Sequence, residues 1–451
     1  MSPLLLLLAA PLLAVEPATP AAVSAPVAAE PVASPQPVEV APEPVPAEPP
    51  LVFRGHLEWI TAAGAASSRA TPVDPGNGIL RVPAGGGQTE LRPDLRLEVG
   101  PALTAIARPR FWLRSEKAHT DGGWLAERSE AKAEWIEGYA AWRVSDRLAV
   151  AYGLQNFQWG PAELVSPSNR IFHATGFYRD PVYVVRGRHL ARVNVSSGRA
   201  WSAVLLAEVG ENGEAPFVAG EPFERKAQAK LEWTAPAGDL YAAVTAGAAE
   251  RSRGWFGEYA TVPLVAGLAV YVDAVHTVGR RAWYPVPDPA LGVGFAQTGM
   301  ETRALRTTAL GGLRYSFESG DDLRVEYLFD EAGWTDAQLD AAQTAAIASL
   351  VAHDPAGLQR FVDPGFELLG RHLLYVSLSL PDLPPAERTR VQARYLYSLT
   401  DRSGAAFLTA SHDATDAVVV FVSLSATHGP PGGALSRFTR GAATAGAIVN
   451  W

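Results

Sequence analysis

The sequence predicts an all-β fold, a transmembrane antiparallel up-and-down β-barrel of about 18 strands. Apolar residues recur at every second position from Leu51 onward, tight turns alternate with long connections, and no later apolar run is long enough for a spanning helix. The competing fold is a soluble sandwich, barrel or propeller. Its strands usually contain about 5 to 6 residues, whereas the alternating segments here have the length that a tilted transmembrane strand needs.

Composition removes several classes of protein. The 451 residues include no cysteine, which excludes disulfides, thiolate metal sites and an acylated lipoprotein cysteine. The formal net charge is -9 at pH 7, and the chain has no block rich in lysine and arginine. We therefore expect no nucleic-acid partner, because nothing in the sequence would neutralise its phosphates.

The barrel domain is placed at residues 51–451, after two segments of different character. Residues 1–15 form an apolar stretch of the length of a signal peptide, and we predict that they are one, although the start of the stretch carries no basic residue. Residues 16–50 consist almost entirely of Pro, Ala, Val and Glu. Such a segment cannot bury enough apolar surface to fold, so we predict a disordered tether in the periplasm.

Turns and loops alternate along the barrel domain as they do in outer-membrane barrels, with short periplasmic turns and long outer loops. An even strand number then places both chain ends on the periplasmic side. The predicted turns are 100–101, 145–146, 196–198, 235–239, 264–267, 319–321, 382–387 and 413–416. The predicted outer loops are 63–87, 116–131, 158–180, 210–225, 251–254, 278–302, 331–369, 401–403 and 429–437.

Residues at the ends of the predicted strands indicate two expected partners, the membrane lipid and the machinery that assembles barrels. Aromatic residues cluster there, as expected for girdles at the surfaces of an outer-membrane lipid bilayer. The chain also ends in Trp451, which closes the segment 444–451. This terminus resembles the final strand of bacterial outer-membrane barrels, whose terminal aromatic residue is read by the barrel-assembly machinery, so that machinery is an expected partner.

Alternation also predicts which side chains face the lumen. In Leu91–Val99, for example, the leucines share one face, while Arg92, Arg96 and the acidic residues share the other. Basic side chains outnumber acidic ones in the inward set, which predicts an anion-preferring channel for passive diffusion. The alternative is a set of Arg–Glu ladders that only hold neighbouring strands together. The pore-lining candidates are Arg92, Arg96, Arg108, Arg110, Arg114, Arg186, Arg188, Arg192, Arg306, Arg314, Arg324 and Arg394.

One loop carries a helix signal. Residues 335–353 place Leu339, Ala346, Ile347, Leu350 and Val351 on one side, after a start at Asp336. The sequence leaves three roles open for this helix: a plug or constriction inside the lumen, a lid over the mouth, or a simple surface helix.

The loop after the predicted fifth strand carries a family resemblance. Residues 155–161 read Gln-Asn-Phe-Gln-Trp-Gly-Pro, and an acidic residue and a Ser-Pro-Ser-Asn step follow. This pattern resembles a motif of porin-like outer-membrane barrels, including solute-uptake and capsule-assembly families. Gln155, Trp159 and Asn169 could form a shelf that stacks and hydrogen-bonds sugars, or the loop could fold inward only for stability. The chain lacks the helical periplasmic part expected of a capsule-assembly barrel.

No arrangement in the sequence indicates an enzyme. The histidines are scattered, and Ser411-His412-Asp413 would place neighbouring side chains on opposite faces of a strand. We expect no catalytic residue, metal or cofactor. The sequence therefore predicts a channel in the outer membrane of a Gram-negative bacterium for small anionic or saccharide solutes. Two alternatives stay open: a barrel that binds or exports surface polysaccharide, and a plugged structural barrel without transport.

Overall fold

Backbone hydrogen bonds join neighbouring strands around a complete ring in the computed structural model. The structure describes residues 51–172, 181–198, 200–210, 223–236, 240–250, 254–279, 282–298, 304–366, 368–383 and 387–451. Within these residues, 18 antiparallel strands form a closed barrel, as predicted. The predicted signal peptide and tether at 1–15 and 16–50 lie outside the described residues.

The strands follow one another around the ring in chain order, each paired with the next. Three further strands do not belong to the ring: β4 extends the end of β3, and β13 and β14 form a hairpin within a loop. The strands are β1 Leu51–Ser68, β2 Pro83–Val99, β3 Leu103–Thr120, β4 Gly123–Trp124, β5 Arg128–Ser145, β6 Leu148–Gln155, β7 Arg188–Ser196, β8 Trp201–Gly210, β9 Lys226–Thr234, β10 Tyr241–Ala249, β11 Trp255–Val265, β12 Leu268–Val278, β13 Tyr284–Asp288, β14 Gly292–Ala296, β15 Leu305–Ser316, β16 Asp322–Asp330, β17 His372–Leu380, β18 Thr389–Ser398, β19 Gly404–Asp413, β20 Val418–His428 and β21 Thr439–Asn450.

The ring closes where the first strand meets the last. β1 pairs with β21 from Glu58 opposite Asn450 to Ser68 opposite Thr439. The rings of Trp59 and Trp451 stack with their centroids 6.4 Å apart beside this seam. Both ends of the barrel chain therefore lie at one end of the barrel, together with the short turns. We call this the turn end and the opposite end the loop end.

Each predicted turn falls between neighbouring strands of the ring, although residues 237–239 and 384–386 of two turns lie outside the described residues. Two predicted outer loops are too long. β1, β2, β3 and β5 contain 17 or 18 residues, so both ends of the predicted loops 63–87 and 116–131 belong to strands. The run Gly85–Gly86–Gly87 suggested a loop because glycine weakens strands. Here it lies inside β2, where a Cβ on Gly86 would lie 2.3 Å from the carbonyl oxygen of Ser115. The close approach of the backbones requires glycine.

The two faces of the wall differ as the alternation predicts. Large apolar side chains on the outward face are exposed, among them Phe111, Trp142 and Tyr152. On the inward face, charged and polar side chains such as Glu90 and Glu326 are buried. The barrel therefore presents its apolar surface outward and encloses its polar groups.

Loops at the loop end pack into one apolar cluster. The predicted helix is present as α1, Asp336–Val351, and a second helix that the sequence analysis missed follows as α2, Pro355–Val362. No helix in the described part of the chain is both long enough and apolar enough to cross a membrane. Trp334 is fully buried where α1 begins, in contact with residues of several loops. The cluster includes Val73, Leu80, Val82, Leu339, Ala342, Ala346, Phe361 and Phe366, with Tyr284 and Phe295 packed against it.

A buried arginine joins this cluster to the loop before β21. Arg437 donates a hydrogen bond to the carbonyl oxygen of Phe361 at 2.8 Å, where α2 ends. Its guanidinium carbon lies 4.0 Å from the centre of the Phe361 ring and 5.5 Å from that of Trp334. Complete burial lowers the pKa of Arg437 to about 9, so the side chain stays charged at neutral pH. Arg437 therefore ties the end of α2 and the start of α1 to the loop before β21.

Close packing at the seam predicts a cost for one added methyl group. A Cβ on Gly446 would lie 2.4 Å from the carbonyl oxygen of Thr61 and 2.6 Å from the Phe421 ring. We expect Gly446→Ala to lower the free energy of unfolding by about 1–3 kcal/mol. Gly311→Ala is the matched control, since nothing lies within 4 Å of a Cβ there. Urea unfolding followed by tryptophan fluorescence measures both, and equal stabilities would contradict the prediction.

Candidate functional site

The strongest predicted arginine cluster is interleaved with carboxylates. Arg92 and Arg110 share Glu90, each donating from Nε to Oε2 at 2.8 Å. Arg110 also reaches Glu134 at 3.0 Å, and Arg108 bonds to both Asp94 and Glu137. The predicted inward count omitted Glu90 and Glu134, although both are buried on this face. This part of the wall is an Arg–Glu ladder, the alternative left open by the sequence.

Most other predicted arginines are also paired. Arg394 bonds to the amide of Gln392, and the others each meet a carboxylate. The remaining ion pairs are Arg96–Glu98, Arg114–Glu116, Arg186–Glu134, Arg188–Glu208, Arg306–Glu331, Arg314–Asp322, Arg324–Asp322 and Arg324–Glu163.

Arg192 on β7 is the exception among the predicted arginines. Within the described part of the chain it makes no hydrogen bond or ion pair, and its buried Nε has no partner. Its guanidinium carbon lies 4.2 Å from the centre of the Phe157 ring. Guanidinium groups stack favourably on aromatic faces, which leaves their N–H groups available to a third group.

The loop between β6 and β7, which the structure describes at residues 156–172 and 181–187, turns into the barrel. We call it the inward loop. Its entry is the predicted corner Trp159-Gly160-Pro161, where Gly160 has a φ of +100°. A Cβ at Gly160 would lie 2.4 Å from Ser166 Oγ and 2.6 Å from an oxygen of Asp273. Only glycine fits this conformation and this contact.

The first anchor of the inward loop is Glu326 on β16. Its carboxylate accepts hydrogen bonds from the backbone N–H groups of Glu163 at 2.6 Å and Leu164 at 2.8 Å. The hydroxyl of Tyr271 donates a third at 2.6 Å. Glu326 and Leu164 are fully buried. Because β16 lies well around the ring from β6, these bonds hold the loop across the lumen.

The second anchor is Asp273 on β12. Ser166 donates from its hydroxyl at 2.6 Å, and Ser168 donates from its backbone N–H at 2.8 Å. The carbonyl oxygen of Ser168 in turn accepts a 2.7 Å hydrogen bond from the side chain of Gln228 on β9. Buried loop backbone needs such partners, and here the barrel wall supplies them.

The side chain of Glu163 connects the inward loop to β17 and also to β16. Its Oε1 accepts from the hydroxyl of Tyr375 at 3.1 Å, and its Oε2 lies 3.4 Å from Arg324 Nε. On its way back the loop packs Val182 against Ile60 and Phe421. The described part of the loop therefore contacts the wall on opposite sides and narrows the lumen.

Two of the three loop-motif residues are structural. Gln155 is buried and donates to the carbonyl oxygen of Leu190 at 2.9 Å. Asn169 is fully buried, and its side-chain oxygen accepts from the backbone N–H of Phe172 at 2.9 Å. The predicted sugar shelf of Gln155, Trp159 and Asn169 is therefore not formed as an open surface. Gln155 thus bonds to the backbone of β7, and Asn169 bonds to the backbone of the inward loop.

Trp159 is the motif residue that remains partly exposed. Its ring meets that of Phe157 edge to face at 5.8 Å, and Lys230 Nζ lies 5.8 Å from its centre. Lys230 is itself bonded to Glu232 at 3.0 Å. Phe157 thus lies between Trp159 and Arg192, so the aromatic corner of the loop and the exceptional arginine form one cluster on the β7 to β9 side.

A polar cavity of about 790 Å³ lies on the opposite side, toward the turn end. Pro181 of the inward loop contributes to its lining, together with inward side chains of strands β17 to β21 and β1. Its charged groups are again mostly paired, as in Arg390–Asp413 at 3.1 Å and Arg388–Asp416 at 3.0 Å. Serine, threonine and glutamine side chains line much of the rest, together with the apolar side chains of Val391, Val419 and Ile448.

Comparison with solved structures identifies the fold. OccAB1 of Acinetobacter baumannii superposes with a TM-score of 0.55 at 10% identity, covering 88% of this chain and 96% of the other. OccK7 (OpdD) of Pseudomonas aeruginosa gives a TM-score of 0.53 at 10% identity, covering 88% and 98%. The chain shares the barrel fold of these two Occ proteins. No protein-family model and no curated protein matches the sequence.

Sequence reasoning missed the residues that shape the porin-like lumen. Alternation placed Asp273 and Glu326 on the inward face, but it gave no sign that they hold a loop. Phe157 was part of the quoted motif and was given no role. The sequence would indicate a loop that folds inward only if three features were considered together. They are a glycine at a tight corner, small polar residues after it, and inward carboxylates on distant strands.

Removing an anchor should loosen the inward loop. Glu326→Ala leaves two backbone N–H groups and the Tyr271 hydroxyl without their acceptor, a loss of about 1–3 kcal/mol for each buried group. We expect a wider distribution of single-channel conductance and a lower stability than wild type. Glu318→Ala, in an exposed turn, is the matched control. Planar-bilayer recording measures the conductance, and identical records for both variants would contradict the anchoring role.

Proposed function

We propose that the protein is an outer-membrane channel for passive diffusion of small anionic solutes. The observation that carries the channel is a closed barrel whose inward loop narrows the lumen and adjoins a polar cavity of about 790 Å³. A cavity lined by serine, threonine and paired charges suits hydrated solutes. The likeness to outer-membrane porins supports this function, with the turn end facing the periplasm.

The preference for anions rests on Arg192. Ion pairs elsewhere on the inward face are locally neutral, so most arginines contribute little net attraction. The Arg192 side chain forms no hydrogen bond or salt bridge with a carboxylate in the described residues, although the charge of Glu137 acts on it, and its contact with the Phe157 ring holds the guanidinium in place. A carboxylate or phosphate group can accept two parallel hydrogen bonds from such a group. The substrate class that fits is a small anion, with Trp159 and Phe157 available to an attached ring.

The expected membrane partners follow from the position of the outward face and of the turn end. The outward apolar face would meet the lipid, and the aromatic residues beside the seam, Trp59 and Trp451, would lie at the periplasmic surface. The strand that the assembly machinery would read is β21. It is also the strand that closes the ring on β1, so recognition of Trp451 and closure of the barrel involve the same element.

Neutralising Arg192 tests the anion preference. A unit charge about 4 Å from a permeating ion contributes roughly 1 kcal/mol in water. We therefore expect Arg192→Gln to lower the anion-to-cation permeability ratio by up to about fivefold, measured from reversal potentials in a salt gradient.

Arg314→Gln is the control for that measurement, because it also removes a luminal cation. Arg314 is paired with Asp322, which keeps Arg324 as a second partner. Its effect should therefore be smaller. Equal changes in both variants, or a cation preference in the wild type, would contradict the role of Arg192. The absence of channel steps would indicate a plugged barrel.

A further inference from the structure

The histidines of the barrel are concentrated at the loop end of the outward face. His119, His189, His276, His372 and His428 lie on different strands around the ring, each at or near its loop end. Each also packs against an aromatic side chain, with ring centroids 4.6–6.2 Å apart. A lumen function does not use these side chains, because they point away from the channel.

Two of these histidines lie with three tyrosines on the outward face of β16 to β20. We call Tyr327, His372, Tyr395, Tyr397 and His428 the Tyr–His patch. The rings of Tyr395, Tyr397 and His428 lie 6.0–6.2 Å from one another and are inclined by 14–25°. Tyr327 stacks on His372 in the same way, at 6.2 Å and 24°. These contacts form two groups of rings, Tyr327–His372 and Tyr395–Tyr397–His428, which we call together the aromatic platform.

Each histidine of the patch shares one hydrogen bond with a tyrosine. The hydroxyl of Tyr327 lies 2.6 Å from His372 Nδ1, and that of Tyr395 lies 2.8 Å from His428 Nε2. In the tautomer in which the tyrosine hydroxyl donates, the other nitrogen of the neutral ring is an N–H donor for a ligand.

Other loop-end histidines are less suited to an anion. His276 is bonded to Glu258 at 3.1 Å, and this outward carboxylate would repel a phosphate. In the described residues no carboxylate forms a salt bridge or hydrogen bond with His372 or His428. Neighbouring strands lie about 4.8 Å apart, so the three steps from β17 to β20 separate these two histidines by roughly 14 Å. That width exceeds a single phosphate.

We propose that the Tyr–His patch binds the phosphorylated sugar headgroup of a glycolipid in the outer leaflet. Sugar rings would lie on the aromatic platform, and phosphates would accept hydrogen bonds from His372 and His428. The position of the patch, at the loop end and on the outward face, is where lipid headgroups meet a barrel wall. The inference rests on the membrane location in the proposed function, and it requires no transport.

The test uses the full barrel reconstituted in phosphatidylcholine vesicles that contain either lipid A or phosphatidylglycerol. Lipids retained after mild detergent extraction are counted by native mass spectrometry. We expect the wild type to retain lipid A and the double variant His372→Phe/His428→Phe to bind it at least about fivefold more weakly. Phenylalanine keeps the rings and removes the N–H donors, so the variant should still fold and conduct.

His412→Phe is the matched control. His412 lies on the same outward face at the turn end, where it is bonded to Thr389 at 3.0 Å instead of an aromatic platform. Its replacement should leave lipid A retention unchanged. Equal retention by the double variant and wild type would overturn the proposal, as would equal retention of phosphatidylglycerol and lipid A. Channel conductance, recorded on the same samples, reports separately on the proposed function.

Discussion

The structure depends on one constraint, the pairing of every strand edge. A strand that faces lipid can satisfy its backbone N–H and C=O groups only through neighbouring strands, so the sheet must close on itself. The pairing of β1 with β21 achieves this. Small residues at the seam, such as Gly64 and Gly446, allow the two strands to approach, since a side chain there would meet backbone carbonyl oxygens.

Closure with 18 strands creates a second requirement, because such a ring is too wide for side chains alone to fill. The structure meets it with a loop. Loops usually stay at the surface because buried backbone needs hydrogen-bond partners. The inward loop finds them in Glu326 and Asp273, whose carboxylates accept from its backbone N–H groups. The shape of the lumen is therefore set by carboxylates that take no part in attracting solutes.

The luminal charges illustrate why composition does not determine selectivity. Arginines dominate the inward positions identified in the sequence, yet carboxylates from the same strand, an adjacent strand or a loop bind most of them. Such pairs contribute to the wall and little to the field along the pore. The exception, Arg192, differs only in its neighbour, an aromatic ring from the inward loop. The contact with Phe157 of the inward loop thus distinguishes Arg192, a candidate recognition group, from the arginines that have a structural role.

The sequence by itself determined the fold class, the strand number and the position of nearly every turn. Those features depend on local patterns: alternation with period two, turn-forming residues and the even count needed to return the chain to its starting side. The sequence analysis misplaced the ends of β1, β2, β3 and β5. In β2, Gly85–Gly87 is locally a loop signal and becomes strand only because it pairs with β1 and β3. Only the tertiary structure decided which charges meet and which loop enters the lumen. Gln155 and Asn169 became loop supports, and Arg192 was left unpaired, through contacts between strands that are far apart in the chain and therefore leave no periodic signal.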